Sequence, residues 1–355
     1  MIADRSTLLS KSIDWLRFPM AFAVVMIHHG GRLIAGAAGP LKFLCVLFGE
    51  GICRLAVPYF FLISGFLFFN NLHTWDWTTW KSKIRRRVQT LLIPYVLWII
   101  ITFLFNWAYA SFQHPVDFHQ FFQSVGGIRM FWGVNGDIPI GVRSMPINSP
   151  LWFIRDLMLF SLLTPLIYLF LRWTRGYGVL VICGIFLFKP GIVPEGAVFF
   201  LVGAWMQMYR NDFAEGLLSR RFFYYVLSLI FLALVCVFFD QEYWRRLFKT
   251  CFQFVGMAAM FCMTYQGLKQ GRLRVRPFLV GSCFFILAAH VLVLHPFAAK
   301  VVGYILPAGM FWDCLEYFLS PALAVAMCLG LYCLIQRWMP RIAMLLTGNR
   351  QAGLS

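Results

Sequence analysis

The 355-residue sequence is poor in charge, above all in acidic charge. Only 13% of its residues are charged, and Asp and Glu together number 14, against 31 Lys and Arg. Hydrophobic residues make up 61% of the chain, and the mean hydropathy is +0.74. Ordinary soluble domains carry about 25% charged residues. The scarcity of charge therefore excludes such a domain and predicts a protein that lies in a membrane.

The ten cysteines lack the paired spacing that is typical of metal sites. None stands in a C-x-x-C pair, and most lie inside apolar runs. A thiol in such a run is far more often a small apolar side chain than a ligand or a disulfide partner. We therefore expect neither a metal site nor a disulfide framework.

Apolar segments recur along the whole chain, many of them near the length of about 17–25 residues that spans a bilayer as a helix. This pattern predicts an all-α, polytopic integral membrane protein with about ten transmembrane helices. Residues 1–355 are expected to form a single membrane-embedded domain. The predicted spans are 13–34, 52–70, 88–110, 150–171, 177–189, 194–209, 221–239, 247–268, 278–299 and 316–338.

Basic residues are unevenly divided between the two sets of predicted loops. With the amino terminus inside, the inner segments carry 19 Lys and Arg and the outer segments carry 10. Cytoplasmic loops are enriched in Lys and Arg, so this asymmetry predicts that both termini are cytoplasmic. The same bias accounts for the net charge of +17 without a nucleic-acid partner.

The first predicted span carries ionisable residues along one face. Arg17 and His28 are eleven residues apart, which is within about 20° of three full turns and roughly 16 Å along the axis. Asp14 lies near the same stripe, whereas His29 points about 100° away. Ionisable groups inside a bilayer normally face a cavity or protein. An interfacial Asp14–Arg17 pair and a buried histidine pair without chemistry stay open as structural alternatives.

Two later spans bring polar groups to a comparable depth. The fourth carries Arg155 in its first turns, and the ninth carries His290 at about two-thirds of its length. With the predicted topology, His28, Arg155 and His290 lie at a similar depth, toward the outer face. The structural alternatives are a local ion pair of Arg155 with its neighbour Asp156 and an interhelical hydrogen bond from His290.

A cluster of basic residues, KSKIRRRVQTLLIPY at 81–95, begins the third span. Helical spacing puts Lys83, Arg86 and Arg87 near one face. A topology determinant alone would explain the cluster. The sharper hypothesis is a phosphate-binding patch at the cytoplasmic mouth of a cavity, since guanidinium groups pair well with phosphate oxygens.

Five stretches carry a resemblance to a known family. They are IDWLRFPMAFAVVMIHH, RLAVPYFFLISGFLFF, the basic segment ending in LLIPY, SPLWFIRDLMLFSLLTPLIY and GSCFFILAAHVLVLHPF. Taken in order over about 280 residues, they resemble acyltransferase family 3, integral membrane proteins that include bacterial O-acetyltransferases of surface polysaccharides. The first stretch looks like that family's pattern of arginine, ten residues and histidine, here Arg17 and His28.

The resemblance implies a bacterial cytoplasmic-membrane enzyme that takes acetyl-CoA, or another acyl-CoA, from the cytoplasm. It implies a glycan or a lipid-linked glycan as the acceptor, an essential histidine at His28 and a supporting arginine at Arg17. The family's third-helix motif is usually two arginines three residues apart. Here Lys83 and Arg86 have that spacing, so the sequence leaves open which basic residues take the role.

A mechanism can be written on these residues. The basic groups hold the phosphates of the acyl-CoA at the cytoplasmic mouth, and the pantetheine arm follows the polar face of the first helix. A histidine then acts as general base on the acceptor hydroxyl or carries the acyl group covalently, and both routes stay open. Arg155 or His290 stabilises the developing oxyanion or the acceptor. The expected catalytic residues are His28, Arg155 and His290, and the expected donor-binding residues are Arg17, Lys83, Arg86 and Arg87.

Two other classes of function compete with this hypothesis. A transporter or flippase would use Arg17, His28 and Arg155 as a substrate or proton pathway. Secondary transporters commonly show internal repeats with interrupted spans in matching positions, and this sequence shows only one interruption, near Pro190–Pro194. A purely structural protein would leave the charges of the first helix unexplained.

Overall fold

The computed structural model of the chain describes residues 2–70, 72, 74–133, 144–189, 191–209 and 212–348, with the backbone alone at 2–6 and 295. Within these ranges the chain is helical and contains no strand. The α-helices are α1 (Ile2–Leu33), α2 (Gly39–Leu44), α3 (Ala56–Phe69), α4 (Trp77–Arg87), α5 (Ile93–Gln113), α6 (Phe118–Ser124), α7 (Trp152–Leu162), α8 (Thr164–Trp173), α9 (Gly178–Phe188), α10 (Glu195–Tyr209), α11 (Phe213–Ser219), α12 (Arg221–Val237), α13 (Glu242–Lys269), α14 (Pro277–Val293), α15 (Ala299–Ile305), α16 (Met310–Trp338) and α17 (Pro340–Thr347). Tighter or wider turns continue several of them: 3-10 turns at Ile52–Leu55, Gly127–Phe131 and Ser149–Leu151, and π turns at Cys45–Gly51, Val88–Leu92 and Leu294–Ala298.

Several of these helices are long and apolar enough to cross a membrane. Among the described residues, four continuous segments meet this condition: Gly39–Phe69, Trp77–Gln113, Glu242–Lys269 and Met310–Trp338. Three bent pairs raise the number to seven if each is one span: Ser149–Leu162 with Thr164–Trp173 (60°), Phe213–Ser219 with Arg221–Val237 (74°) and Pro277–Val293 with Pro296–Ile305 (47°). The all-helical membrane fold is therefore confirmed, whereas the predicted total of about ten spans is not.

The three other predicted spans fall on helices that are shorter or more polar. The span 13–34 lies on α1, which has 32 residues but carries Asp14, Arg17 and two histidines. The spans 177–189 and 194–209 lie on α9 and α10, which have 11 and 15 residues, fewer than the roughly 17 that cross a bilayer unaided. Pro190, at the predicted interruption, lies outside the described residues.

A close helix crossing joins α3 to α10 through glycines. A Cβ atom added at Gly65 would lie 2.0 Å from the carbonyl oxygen of Phe200, and one at Gly203 would lie 2.0 Å from that of Leu62. Small residues let membrane helices approach to this distance. Gly65 thus serves the close packing of α3 against α10.

The Gly65→Ala variant is expected to lower the thermal unfolding midpoint of the protein in detergent, because the added methyl group would push against backbone. Overpacking of this kind costs about 1–3 kcal/mol. Gly184→Ala on α9 is the matched control, since nothing lies within 4 Å of the Cβ position there. Equal midpoints for the two variants would contradict a tight α3–α10 crossing.

Helix α1 occupies the interior of the bundle. It packs against α3, α13, α14 and α16, so the residues of its polar stripe face other helices. The buried hydroxyl of Tyr59 on α3 donates a hydrogen bond of 2.6 Å to the carbonyl oxygen of Ile13 on α1. This bond fixes the two helices together one turn away from Arg17.

Candidate active site

Two histidines meet in a cavity near the carboxyl-terminal end of α1. The ring centroids of His28 on α1 and His290 on α14 lie 5.2 Å apart, and His290 is fully buried. The cavity has a volume of about 300 Å³. Its other lining residues are Ile27, Gly31, Arg32, Ser149, Val291 and Leu294. The structure thus brings together two of the three predicted catalytic residues.

The ring of His290 is oriented by its own helix. Its Nδ1 atom lies 2.9 Å from the carbonyl oxygen of Ile286. A carbonyl oxygen can only accept, so Nδ1 carries the proton of the neutral ring and Nε2 carries the lone pair. In this tautomer Nε2 is the accepting nitrogen of a ring whose centroid lies 5.2 Å from that of His28.

A polar clamp just before α7 adjoins another polar residue of the histidine cavity, Ser149. The fully buried amide of Asn148 donates to the hydroxyl of Thr102 and to the carbonyl oxygen of Ala288, both at 2.9 Å. These bonds tie the segment before α7 to α5 and α14. Sequence reasoning missed Ser149, although it stands in the SPLWF stretch that begins the fourth predicted span.

Arg155, the third predicted catalytic residue, is held in a network of its own. Its guanidinium donates to Oδ1 of Asp156 at 2.9 and 2.7 Å and to the carbonyl oxygen of Ser144 at 2.6 Å. It also donates to the carbonyl oxygen of Trp132. The lining of the histidine cavity does not include it. The local pair expected as the structural alternative is present, and a role of Arg155 at an oxyanion stays a prediction.

A larger cavity contains all four of the predicted donor-binding residues. Its volume is about 680 Å³, and Arg17, Lys83, Arg86 and Arg87 all line it. The walls are otherwise mostly apolar, from α3, α7 and α14, with Ser64, Asn70, Thr79 and Thr90 as polar exceptions. Four cations around one cavity form a ready site for a multiply charged anion.

Two of these cations are bound by the protein itself. Lys83 donates to the carbonyl oxygens of Phe68 and Asn70 at 2.6 Å each, at the carboxyl end of α3. Arg87 donates to the hydroxyl and the carbonyl oxygen of Ser64 at 2.6 and 3.0 Å. Both also lie over the ring of Phe68, at 5.6 and 5.1 Å from its centroid. Lys83 and Arg87 therefore join α4 to α3.

The two other cations are more available to a ligand. Arg86 is exposed, and no hydrogen bond or ion pair with the described residues occupies its guanidinium. Arg17 forms an ion pair of 3.3 Å with Asp14, and both side chains are about one-third exposed. An exposed pair of this kind contributes little stability, so an anionic ligand can replace it at small cost.

The helix that presents the basic cluster begins at a strong cap. The carboxylate of Asp76 accepts hydrogen bonds from the backbone amides and hydroxyls of Thr78 and Thr79, at 2.6–3.1 Å. These bonds hold the pKa of Asp76 below its usual range. The cap is thus ionised and intact at neutral pH and is lost only in strong acid.

The two cavities follow one another along a single face of α14. Val280, Cys283 and Leu287 line the basic cavity, and His290, with Leu294 just after the helix, lines the histidine cavity. The step from Leu287 to His290 is a rise of only about 4.5 Å along the helix. On α1, Arg17 and His28 likewise belong to the first and the second cavity. The same two helices therefore connect an anion site to a histidine site.

Comparison with known proteins identifies the family of the chain. Residues 10–337 match the sequence model of the acyltransferase domain of acyltransferase family 3. The chain is 26% identical over 368 residues to the succinoglycan biosynthesis protein ExoH of Rhizobium meliloti, an alignment that covers 96% of this chain and 93% of that protein. No solved structure matches the chain significantly. The family match includes every residue of both cavities, and the chain belongs to acyltransferase family 3.

Proposed function

We propose that the protein is a membrane-bound O-acyltransferase that moves an acetyl or other acyl group from cytoplasmic acyl-CoA to a hydroxyl of a cell-surface glycan or its precursor. The observation that carries this proposal is the alignment of the basic cavity and the histidine cavity along α1 and α14. The relative ExoH is named for succinoglycan biosynthesis, which supports a polysaccharide acceptor.

The proposal includes an arrangement in the membrane. We infer about ten crossings, in which α1, α9 and α10 add to the seven candidate spans. The amino-terminal end of α1 lies on the cytoplasmic side of a bacterial inner membrane, because the basic loops then lie inside. The basic cavity thus opens toward cytoplasmic acyl-CoA, and the histidine cavity lies toward the outer face.

The donor binds by its phosphates in this scheme. Arg17 and Arg86 pair with the phosphate oxygens of acetyl-CoA or another acyl-CoA, since charge-assisted bonds from guanidinium groups are strong and directional. Lys83 and Arg87 hold α4 against α3 and add positive potential. The pantetheine arm extends along α14 past Leu287 and brings the thioester to the histidines.

The transfer itself takes place between His28 and His290. In the direct route, His28 removes the proton of the acceptor hydroxyl, the hydroxyl oxygen bonds to the thioester carbon, and the carbon–sulfur bond breaks. The proton passes from His28 to the departing CoA thiolate. In the covalent route, a nitrogen of His28 bonds to the thioester carbon and CoA leaves as its thiolate; the acceptor hydroxyl oxygen then bonds to the acyl carbon, the carbon–nitrogen bond breaks, and the hydroxyl proton passes to the freed imidazole and on to the thiolate. The fixed lone pair of His290 orients His28 or the hydroxyl, and Arg155 secures the start of α7.

Acetyl-CoA binding to the purified protein in nanodiscs tests the proposal without knowledge of the acceptor. Wild type is expected to bind, Arg17→Ala to bind about tenfold more weakly through loss of a phosphate contact, and His28→Ala to bind normally. Titration calorimetry measures all three. A folded wild type that binds neither acetyl-CoA nor any other acyl-CoA would contradict the proposal and favour a transport pathway along α1.

A further inference from the structure

A single fixed charge stands among the described residues that line the histidine cavity. Arg32 lies in the last turn of α1, four residues after His28, and therefore on the same face of the helix. It lines the same cavity as both histidines and Ser149. A guanidinium group thus lies one helical turn beyond the proposed reacting group.

The Arg32 side chain is exposed at the lining of this cavity. No ion pair or hydrogen bond with the described residues occupies the Arg32 guanidinium. Two other cations do form ion pairs: Lys42 on α2 lies 3.2 Å from Asp240, and Arg54, just before α3, pairs with Glu50. A basic residue in the last turn is favourable for the helix dipole. The dipole explains a positive charge there, but it does not require that charge to line the cavity of the histidines.

We propose that Arg32 binds an anionic group, a carboxylate or a phosphate, of the molecule that reacts at His28. This inference rests on the proposed acyl transfer and deepens it. The planar guanidinium pairs with two oxygens at once and so recognises such a group with direction as well as charge. Arg32 is therefore a specificity residue that favours charged reactants over neutral ones.

The anionic group has two chemical sources in this reaction. It is the free carboxylate of a dicarboxylic acyl group, delivered with the thioester, or it is an acidic or phosphorylated group of the acceptor glycan. In both cases the anion lies about one helical turn, roughly 5 Å, beyond the reacting atoms. Ser149, fixed by the Asn148 clamp, lines the cavity beside it.

The test uses the bacterium that carries the gene, with the chromosomal copy deleted and plasmid copies expressed at a low, limiting level. The plasmids encode wild type, Arg32→Gln, Arg32→Lys or the control Lys300→Gln, an exposed cation on α15 that lies outside the cavity lining. Acids released from the surface polysaccharide by mild alkali are identified and quantified, and immunoblots confirm equal protein levels.

Arg32→Gln is expected to lower the released acid about tenfold, Arg32→Lys to lower it less, and Lys300→Gln to leave it at the wild-type amount. Release of a diacid by wild type, replaced in part by a monoacid in Arg32→Gln, assigns the anion to the acyl group. If Arg32→Gln instead loses a monoacid from acidic or phosphorylated sugars, the anion belongs to the acceptor. If Arg32→Gln releases the same acid in the same amount as wild type, the inference about Arg32 is overturned while the proposed function stands. A deletion strain that loses no acyl groups would instead overturn the proposed function.

Discussion

Replacement of His28 by alanine is expected to abolish acyl transfer while leaving acyl-CoA binding intact. The imidazole lies in the histidine cavity, and its ring centroid is 5.2 Å from that of His290. The phosphates of the acyl-CoA are expected in the basic cavity instead. Loss of a general base costs about 10²–10⁴-fold in rate. Acyl transfer is measured as the acyl content of the surface polysaccharide in a deletion strain that expresses the variant. The affinity for acyl-CoA is measured by calorimetry in nanodiscs.

The neighbouring histidine supplies a matched control for this experiment. His29 is nearly fully buried and faces Tyr317, with ring centroids 6.2 Å apart, and it does not line the histidine cavity. His29→Ala is expected to lower the thermal midpoint while each folded molecule keeps its activity. Acyl transfer by His28→Ala at the wild-type rate would exclude His28 as both base and acyl carrier.

The same variants separate the two chemical routes. Wild type is incubated with acyl-CoA that carries a label in the acyl group, in the absence of acceptor, and the protein is then quenched and digested. The covalent route predicts label on the peptide that contains His28 and none in His28→Ala. Direct transfer predicts no labelled peptide in either protein, because the acyl group stays on CoA until a hydroxyl arrives.

Periodicity in the sequence predicts much of this site. The eleven-residue spacing of Arg17 and His28 predicts one helix face, and the structure places them in two cavities that α1 and α14 share. The basic run at 81–95 predicts a cluster, and Lys83, Arg86 and Arg87 line one cavity. Each feature depends on the spacing of residues along one helix, so helical geometry suffices to predict it.

Other features depend on contacts that no local pattern records. The bonds of Arg155 go in part to backbone carbonyls of Trp132 and Ser144, and any residue supplies a carbonyl. Ser149, which lines the histidine cavity, directly follows Asn148, whose bonds go to α5 and α14. The predicted total of about ten spans is not confirmed, because two of the predicted spans lie on α9 and α10, which have only 11 and 15 residues.

Arg86→Ala is expected to weaken CoA binding by up to about 100-fold without a change in stability, and Lys83→Ala is expected to do nearly the reverse. Arg86 is exposed in the basic cavity and makes no bond to the described protein, so its hydrogen bonds are open to phosphate. Bonds to charged groups contribute about 1.5–3 kcal/mol, which corresponds to about 10- to 100-fold in affinity.

Lys83, by contrast, satisfies two carbonyl oxygens at the end of α3. Its removal leaves these acceptors without a donor and loosens α4, so the thermal midpoint falls. The affinity for CoA falls only slightly, because the variant loses one positive charge near the cavity but no direct bond to phosphate. Arg85→Ala is the control, since Arg85 is exposed on the same helix and does not line the basic cavity. Titration of CoA into nanodiscs at two salt concentrations, with a thermal midpoint for each variant, separates the two effects.

The salt dependence makes the assignment sharper. A guanidinium that pairs with phosphate in an open cavity is screened by ions, so the affinity of wild type falls as salt rises and that of Arg86→Ala falls less steeply. A lysine that acts by holding two helices together leaves this slope unchanged. A weakened affinity for Lys83→Ala at an unchanged midpoint, with a flattened salt slope, would move the phosphate contact from Arg86 to Lys83. Because α4 presents both residues to the same cavity, that outcome would change which cation binds the donor while leaving the cavity as its site.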